Sequence, residues 1–224
     1  MRLFVMAQGR YGKNVRKSMM RNGIQSSGTP DAILAVGGDG TFLRAIQKAV
    51  KIRKPVLCVR AGESKGFLSD LSIFELDRAL QALKKKKYGV KKFPLLEISA
   101  GKHKRFAFNE VNFFRQEKKA ARYDVFLNGR AVYRKLIADG GIITTAAGST
   151  AYNISAGGPV IFNSSMAFTP INPHGFFKPF VFSGAVRISD AFSVDLFCDG
   201  NPAGKSRDFV VKKSKKSVGI IKIG

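Results

Sequence analysis

The stretch Ile33-Leu34-Ala35-Val36-Gly37-Gly38-Asp39-Gly40-Thr41-Phe42-Leu43-Arg44 decides the fold of this chain. Four apolar residues run into three glycines within four positions, and a new pattern opens at Thr41; this predicts a buried strand, a tight loop and a helix. Such a loop presents backbone N–H groups to an anion, with the positive end of the helix dipole behind them. Asp39 would repel a phosphate there unless it holds a cation or accepts a proton from the attacking group. A phosphate-binding loop that carries a carboxylate therefore points to phosphoryl transfer.

The same residues also have a simpler interpretation. Asp-Gly is a common turn pair, and Asp and Thr are favoured N-caps, so a plain strand-to-helix turn accounts for them equally well. The loop is not a Walker loop, because no Gly-Lys-Ser/Thr follows, and the Gly-x-Gly-x-x-Gly spacing is absent. Taken alone, the stretch leaves function and turn open.

Composition limits the class of protein. The chain has 224 residues, of which 45% are hydrophobic, enough for one large domain or two small ones. Lys and Arg number 39 against 15 acids, a net charge of +24 that favours anionic partners such as nucleic acid, a membrane surface or a polyanionic substrate. The densest runs, around Lys84–Lys87 and Lys212–Lys216, are typical of solvated faces.

Other classes are disfavoured by what the sequence lacks. Cys58 and Cys198 both lie in apolar runs, which favours small buried side chains over a disulfide or a metal pair. No apolar run approaches the roughly 20 residues that span a bilayer. Leu3–Ala7 is too short for the core of a secretory signal. We therefore expect a cytoplasmic protein with no membrane partner.

The first 93 residues alternate strand and helix patterns, which predicts a Rossmann-like parallel α/β domain over residues 1–93. The predicted strands and helices are Arg2–Gln8, Lys13–Arg21, Ile33–Val36, Thr41–Lys51, Pro55–Arg60 and Ile73–Lys86. Asn22–Pro30 is turn material with room for at most a stub of strand near Ile24.

After Phe93-Pro94 the pattern changes to short β-type runs, which predicts an antiparallel β-sandwich domain over residues 94–224, whose last residues could return to the first domain. Asn128-Gly129 and Asp199-Gly200 are good hairpin turns. One helix is expected, opening at Ser149-Thr150. The predicted strands are Leu95–Ser99, Arg105–Asn109, Asp124–Leu127, Arg130–Ile137, Gly141–Thr145, Phe180–Ser183, Ala185–Ile188, Ser193–Cys198 and Phe209–Val211.

A second candidate site lies in Thr144–Pro159, which is crowded with small hydroxyl residues and glycines. Hydroxyls and free backbone N–H groups suit the hydrogen-bonding demands of a ribose, an adenine edge or a phosphate. Tyr152 adds a stacking face with a polar tip. The alternative is a polar loop that caps a helix at Ser149 or Thr150, and the stretch alone does not decide between the two.

Together these stretches resemble one family, the NAD kinases, in family order from about residue 33 to residue 200. Gly37–Thr41 matches the family's Gly-Gly-Asp-Gly-Thr motif, and Thr145–Pro159 is similar to its long hydroxyl-rich loop, although Ala146 and Ala147 replace the usual Pro and Thr. The other matching segments are Gly62–Asp70, Asn109-Glu110-Val111, Asp139-Gly140, Thr169–His174 and Asp199-Gly200.

The resemblance implies transfer of the terminal phosphoryl group of ATP, or of inorganic polyphosphate, to the adenosine-ribose 2′-hydroxyl of NAD, giving NADP. Asp39 would accept or orient the hydroxyl proton. The donor phosphates would bind Gly37, Gly38, Gly40 and Thr41. Family correspondence assigns the NAD site to Asn109, Glu110, Asp139, Thr150, Ala151, Tyr152 and Ser155.

The resemblance also implies a divalent metal and an oligomer. No side-chain cluster has metal-ligand spacing, so Mg²⁺ would be held through the phosphates, with Asp39 as the one candidate side-chain ligand. Because the family forms dimers and tetramers, we expect a homo-oligomer.

Two alternatives remain open at this point. The Gly-Gly-Asp-Gly-Thr motif is shared with diacylglycerol-type lipid kinases, which need an apolar acceptor groove and give no reason for the hydroxyl-rich loop. A basic nucleic-acid-binding protein would account for the charge, but it predicts clustered Lys and Arg with exposed aromatics. Here the charge is dispersed and the aromatics alternate as core residues do, so we expect no nucleic-acid partner.

Overall fold

The computed structural model describes residues 1–62, 68–116 and 118–224. The chain forms two compact units, one made of Met1–Phe93 with Ser217–Gly224 and the other of Pro94–Lys216. Among the described residues, no helix combines the length and apolar character needed to cross a bilayer.

The first unit is a parallel sheet with helices. Its elements are β1 (Arg2–Ala7), α1 (Gly12–Arg21), β2 (Gln25–Ser26), β3 (Ala32–Gly37), α2 (Asp39–Ile52), β4 (Val56–Arg60) and α3 (Leu76–Lys84). Short 3-10 turns precede α1 at Gly9–Tyr11 and α3 at Ile73–Glu75. The strand order is β2-β1-β3-β4, and all pairs are parallel.

Burial in this unit follows from the strand sequences. Every residue of β3 is buried, as expected for a central strand of a parallel sheet with both faces covered. Leu34 and Val36 join a core cluster with α1 and α3. Ile33 and Ala35 alternate with them and so point to the opposite face, where α2 buries Phe42 and Ile46. The unit therefore has three layers.

The second unit is built almost entirely from strands. They are β5 (Gly89–Ala100), β6 (His103–Ala107), β7 (Glu110–Arg115), β8 (Ala121–Leu127), β9 (Arg130–Ala138), β10 (Gly140–Thr145), β11 (Met166–Ile171), β12 (Phe180–Phe182), β13 (Ala185–Cys198) and β14 (Asn201–Lys222). A single short helix among the described residues of this unit, α4, covers Tyr152–Ser155. β5 starts in the first unit, and β14 ends there.

The strand β13 organises this unit because its two halves pair with different neighbours. Its first half pairs with β8 and its second half with β7. In its pairing with β14, the register shifts between Ser189 and Val194. β7 in turn pairs with β10, and β10 with β11, all antiparallel. A long strand that shifts register in this way lets two sheets share one core, here filled by residues such as Phe113, Tyr123 and Phe209.

The predicted fold class, a parallel α/β region followed by a strand-rich one, is confirmed. Both predicted hairpin turns form, with positive φ at Asn128-Gly129 and at Asp199-Gly200 as the tight primed turns require. The prediction of a helix opening at Ser149-Thr150 is wrong in position. That segment is turn, and α4 begins only at Tyr152.

Two strands at the centre of the second unit were not predicted. β7 was missed because its Glu110 and Asn112 interrupt the apolar pattern, although both side chains are buried. β11 was missed because it contains Pro170, which usually argues against a strand interior. The predicted strands Ala185–Ile188 and Ser193–Cys198 are two halves of β13.

The close approach of β10 to β7 depends on Gly140. A Cβ at this position would lie 2.0 Å from the carbonyl oxygen of Phe113, which is backbone and cannot swing away. We expect Gly140→Ala to lower the free energy of unfolding by about 3 kcal/mol, the upper part of the usual range for overpacking. Denaturant unfolding is the measurement. Gly89→Ala is the control, because no atom lies within 4 Å of its added Cβ. Equal midpoints for the two variants would contradict this packing.

Candidate active site

The glycine-rich loop of the first unit connects β3 to α2 at the carboxyl edge of the sheet. Gly38 is the N-cap of α2 and makes no side-chain cap hydrogen bond, so the first N–H groups of the helix are not capped by a side chain. Gly38 is half-buried, and Asp39 and Gly40 are exposed. The loop thus offers backbone donors and the positive end of the α2 dipole to an incoming anion.

The neighbouring residues explain why this loop needs glycine and threonine. A Cβ at Gly37 would lie 2.6 Å from the hydroxyl oxygen of Thr41, so the buried Thr41 packs directly over Gly37. Arg44 approaches the same hydroxyl with Nη2 at 3.4 Å from Oγ1. Thr41 therefore holds the loop closed against the end of β3, while the Asp39 side chain stays exposed beside Gly40.

In the second unit a buried aspartate holds the start of β7. The carboxylate of Asp199 accepts hydrogen bonds from the backbone N–H groups of Phe108 at 2.8 Å, Asn109 at 2.8 Å and Glu110 at 3.3 Å. The N–H of Asp199 donates back to the carbonyl oxygen of Glu110 at 3.0 Å. This clamp fixes the backbone of the Asn-Glu pair.

Beside this clamp, two polar atoms have no hydrogen-bond partner among the described residues. Oε2 of Glu110 and Oδ1 of Asn112 are buried without a hydrogen bond. The two residues are two positions apart on β7 and so lie on the same face of the sheet. Buried polar groups are normally satisfied, so an orphaned pair at one place is a candidate ligand contact.

The buried acids Glu110 and Asp199 differ in their electrostatic surroundings. Burial, reinforced by the nearby charge of Asp199, raises the pKa of Glu110 to about 7. Burial also raises the pKa of Asp199, against the opposing effect of its three N–H donors. Glu110 therefore keeps its proton in mildly acidic solution, whereas the three N–H donors at Asp199 favour its charged form.

The hydroxyl-rich segment packs against the same strand end. A Cβ at Gly148 would lie 2.3 Å from the carbonyl oxygen of Asn109, so this loop can approach β7 only because the residue is glycine. Oγ1 of Thr145 donates to the carbonyl of Phe108 at 2.9 Å and accepts from the N–H of Gly148 at 3.1 Å. The structure thus brings the predicted Asn109 and Glu110 together with the predicted loop.

Several polar groups in this loop are used internally. The buried hydroxyl of Ser149 donates to the carbonyl of Ala146 at 2.8 Å and accepts from the N–H of Ile161 at 3.0 Å. The fully buried side chain of Asn153 donates to the carbonyl of Pro159 at 2.9 Å and accepts from the hydroxyl of Thr169 at 2.7 Å. These groups shape the loop and are not available to a ligand.

The predicted ligand-facing residues of this loop do lie at its surface. Thr150 and Ser155 are exposed, and Ala151 is half-buried. The ring of Tyr152 is 39% exposed and lies 6.5 Å, centroid to centroid, from Phe114. Because Phe114 follows Asn112 by two positions on β7, Tyr152 lies on the side of the strand that carries the orphaned atoms.

Asp139 differs from the other predicted residues in having both carboxylate oxygens engaged. Nε of Arg115 donates to Oδ1 at 2.6 Å, and Nδ2 of Asn172 donates to Oδ2 at 3.0 Å. These two hydrogen bonds hold the pKa of Asp139 below its usual range. The carboxylate therefore stays charged and links the ends of β7, β10 and β11.

Sequence reasoning treated Asp199 only as a turn residue and did not identify Asn112 or Asn153. Asp199 lies 89 to 91 residues beyond the N–H groups that it holds, a separation for which the sequence carries no pairing signal.

The sequence predicts no cluster of side chains that would bind a metal. The described part of the chain contains no group of three or more His, Cys, Asp or Glu residues suited to a metal ion. Of the predicted Gly62–Asp70 segment, residues 63–67 lie outside the described residues.

Comparison with known proteins identifies the family of the chain. The profile of the ATP-NAD kinase N-terminal domain matches residues 13–88, and that of the C-terminal domain matches residues 109–223. An NAD kinase of Campylobacter lari is 31% identical over 85% of this chain and 72% of its own length. An NAD kinase of Sulfurimonas denitrificans is 36% identical over 70% of this chain, and the match spans 58% of that relative.

Solved structures show the same fold. The crystal structure of an NAD kinase from Archaeoglobus fulgidus in complex with ATP superposes with a TM-score of 0.85 and 26% identity, covering 99% of this chain and 94% of that one. A yeast NADH kinase complexed with NADH shares the fold at a TM-score of 0.82, with 20% identity over 100% of this chain and 84% of that one. These names give no support to the lipid kinase or nucleic-acid-binding alternatives.

The Asp199 clamp predicts a large effect of a small change. In Asp199→Asn an N–H₂ group replaces one oxygen among three backbone donors, so at least one buried N–H loses its acceptor. We expect the free energy of unfolding to fall by about 2–3 kcal/mol, the usual cost of an unsatisfied buried group with a lost charged acceptor. Asp195→Asn is the control because its ion pair with Lys205 is partly exposed. Similar denaturation midpoints for the two variants would contradict the clamp.

The pKa of Glu110 predicts an unusual pH dependence. Its folded-state pKa of about 7 lies above its ordinary value of 4.5, so the folded protein holds a proton that the unfolded chain releases between these values. The contribution of Glu110 to stability therefore falls as pH rises from about 4.5 to about 7, by at most roughly 3 kcal/mol. We expect Glu110→Gln to gain in melting temperature relative to the unaltered chain between pH 5 and pH 8.

Glu75 provides a control of opposite sign for this pH series. Its pKa is lowered by the N–H and hydroxyl of Ser72, so it contributes stability above its ordinary pKa. Glu75→Gln should therefore lose melting temperature relative to the unaltered chain as the pH rises through the acidic range. If Glu110→Gln shows the same trend as Glu75→Gln, then Glu110 is not buried as an acid.

Proposed function

The chain belongs to the ATP-NAD kinase family, and on this premise we propose that it transfers the terminal phosphoryl group of ATP to the adenosine-ribose 2′-hydroxyl of NAD, giving NADP. The observation that carries the proposal is the exposed carboxylate of Asp39 in the first turn of a helix whose N-terminus is a glycine loop without a side-chain cap. Because the chain matches only 58% of the length of one relative, the activity of the whole relative is proposed here for this chain.

In the proposed reaction the ribose 2′-oxygen attacks the γ-phosphorus of ATP. The bond between that phosphorus and the bridging oxygen breaks, and ADP leaves. The 2′-hydroxyl proton passes to the carboxylate of Asp39, which acts as the general base. Because little covalent chemistry is required of the protein, most of the rate enhancement comes from positioning and charge neutralisation.

The donor phosphates would bind the N-terminal turn of α2. The N–H groups of Gly38, Asp39 and Gly40 would donate to the phosphate oxygens, with Gly37 and Thr41 closing the loop beneath them. Mg²⁺ enters as part of the ATP substrate. A site with one exposed carboxylate and no acidic cluster among the described residues fits a metal that keeps its waters and phosphate ligands. When bound, the metal neutralises phosphate charge. Inorganic polyphosphate is the alternative donor.

NAD would bind the second unit along β7 and the hydroxyl-rich loop. The orphaned Oε2 of Glu110 would accept a hydrogen bond from a ribose hydroxyl, and Asn109 would contact the same sugar. Tyr152 would stack on the adenine, since its ring is partly exposed. Thr150, Ala151 and Ser155 would line the remaining edge of the adenosine pocket.

Asp139 would act at one end of this ligand. Since both of its oxygens are engaged, we propose that it positions Arg115 and Asn172 and does not itself bind the ligand. By resemblance to its family, the protein would assemble as a dimer or tetramer.

The test of the proposed function is Asp39→Asn. The amide cannot accept the proton, so we expect the rate of NADP formation from NAD, ATP and Mg²⁺ to fall by about 10²–10⁴-fold, the usual contribution of a general base. NAD binding measured by calorimetry should be unchanged. Asp31→Asn, an exposed aspartate of the same unit, is the control and should keep its activity. Near-normal turnover of Asp39→Asn would exclude Asp39 as the proton acceptor.

A further inference from the structure

A groove of about 890 Å³ in the first unit lies outside the site proposed above. It runs between α1 and the turn that leads into α3. Among the described residues, four basic side chains line it, those of Arg10, Lys17, Arg21 and Arg60. We call this feature the cationic groove.

The single carboxylate among the described lining residues, that of Asp77, does not neutralise the groove. It accepts hydrogen bonds from Nη2 of Arg21 at 3.0 Å, from Nδ2 of Asn22 at 2.9 Å and from the hydroxyl of Ser18. These bonds hold its pKa below the usual range, so it stays charged and is balanced by Arg21. Asp77 therefore does not offset the positive charges of Arg10 and Lys17.

Arg10 and Lys17 have no acidic partner in the described part of the chain. None of its ion pairs involves Arg10 or Lys17, and both side chains belong to exposed residues. The guanidinium of Arg10 lies 4.8 Å from the centre of the Tyr11 ring, and both residues line the groove. Unpaired cations in a concave surface concentrate field and attract anions.

The groove begins beside the glycine-rich loop. Arg60 ends β4 directly opposite Gly37 in the register of the sheet, and the N–H of Ala61 donates to the carbonyl of Gly37 at 3.2 Å. The N–H of Gln8, two residues before Arg10, donates to the carbonyl of Val36 at 2.9 Å. Two lining residues of the groove, Arg10 and Arg60, therefore lie with the loop at the carboxyl edge of the parallel sheet, where α/β folds bind ligands.

The shape of the groove favours a long anion over a compact one. The basic lining residues begin at Arg10, just before α1, and continue along that helix to Arg21. The helix has ten residues and is about 15 Å long at the usual rise per residue. An orthophosphate ion can touch only some of these cations at a time. A linear chain of phosphoryl groups can meet them in succession, because it carries regularly spaced negative charge.

We propose that the cationic groove binds the oligophosphate chain of the phosphoryl donor, which continues there from the glycine-rich loop. The chain is the triphosphate of ATP or inorganic polyphosphate, and the longer chain meets more of the groove. This proposal rests on the proposed function for the identity of the ligand as donor, but the binding of oligophosphate can be measured without turnover.

The test compares two double variants of the same segment. Arg10→Ala/Lys17→Ala removes one Arg and one Lys from the groove, whereas Lys13→Ala/Arg16→Ala removes the same residue types from positions of α1 that do not line it. Calorimetry at low salt, without NAD, measures the affinity for sodium tripolyphosphate and for a longer polyphosphate. We expect the first variant to bind both roughly tenfold more weakly than the unaltered chain, and the second variant to lose much less.

Kinetics then separates the two donors. The KM for the donor should rise in Arg10→Ala/Lys17→Ala while the KM for NAD stays unchanged. A rise for polyphosphate alone, or for ATP alone, supports the proposal and identifies which chain occupies the groove. Equal losses of oligophosphate affinity in both double variants would overturn it. If the unaltered chain forms no NADP with either donor, the proposed function fails, and the calorimetric comparison still decides whether the groove binds oligophosphate.

Discussion

The second unit depends on one buried carboxylate. Asp199 lies in the hairpin turn between β13 and β14. From that turn its carboxylate accepts hydrogen bonds from three backbone N–H groups at the start of β7. A turn residue with positive φ would ordinarily be replaceable by Asn or Gly. Here the carboxylate of Asp199 is needed as the acceptor for these backbone N–H groups. The position of Asn109 and Glu110 is therefore a consequence of a side chain about ninety residues away.

This arrangement gives two buried acids different surroundings. Asp199 is surrounded by donors, whereas Glu110 is buried beside it with one oxygen unpartnered. A protein that needed only stability would place an apolar residue at Glu110, because a buried acid without a partner costs free energy. In the proposed function, a sugar hydroxyl would satisfy the free oxygen.

In the first unit, the carboxylate of Asp39 is exposed beside the backbone N–H groups at the start of α2. The glycines let the chain turn tightly between β3 and α2, and Thr41 packs over Gly37 so that the turn is firm without a side-chain cap. In the proposed function, a donor phosphate would occupy this uncapped position. The same edge of the sheet opens into the cationic groove, so positive charge is concentrated where a phosphate chain would arrive.

The sequence by itself determined the class of the fold, because strand and helix periodicity and the Asn128-Gly129 and Asp199-Gly200 turns are local signals. It also determined the glycine-rich loop and the resemblance to one family. Only the tertiary structure decided which polar residues are free. Ser149 looks like a ligand contact in the sequence, but its hydroxyl is hydrogen-bonded to the loop's own backbone. The strand β7 was missed because its polar residues are buried by distant strands. Burial and long-range hydrogen bonding depend on pairings across the whole chain, and no short stretch of sequence encodes them.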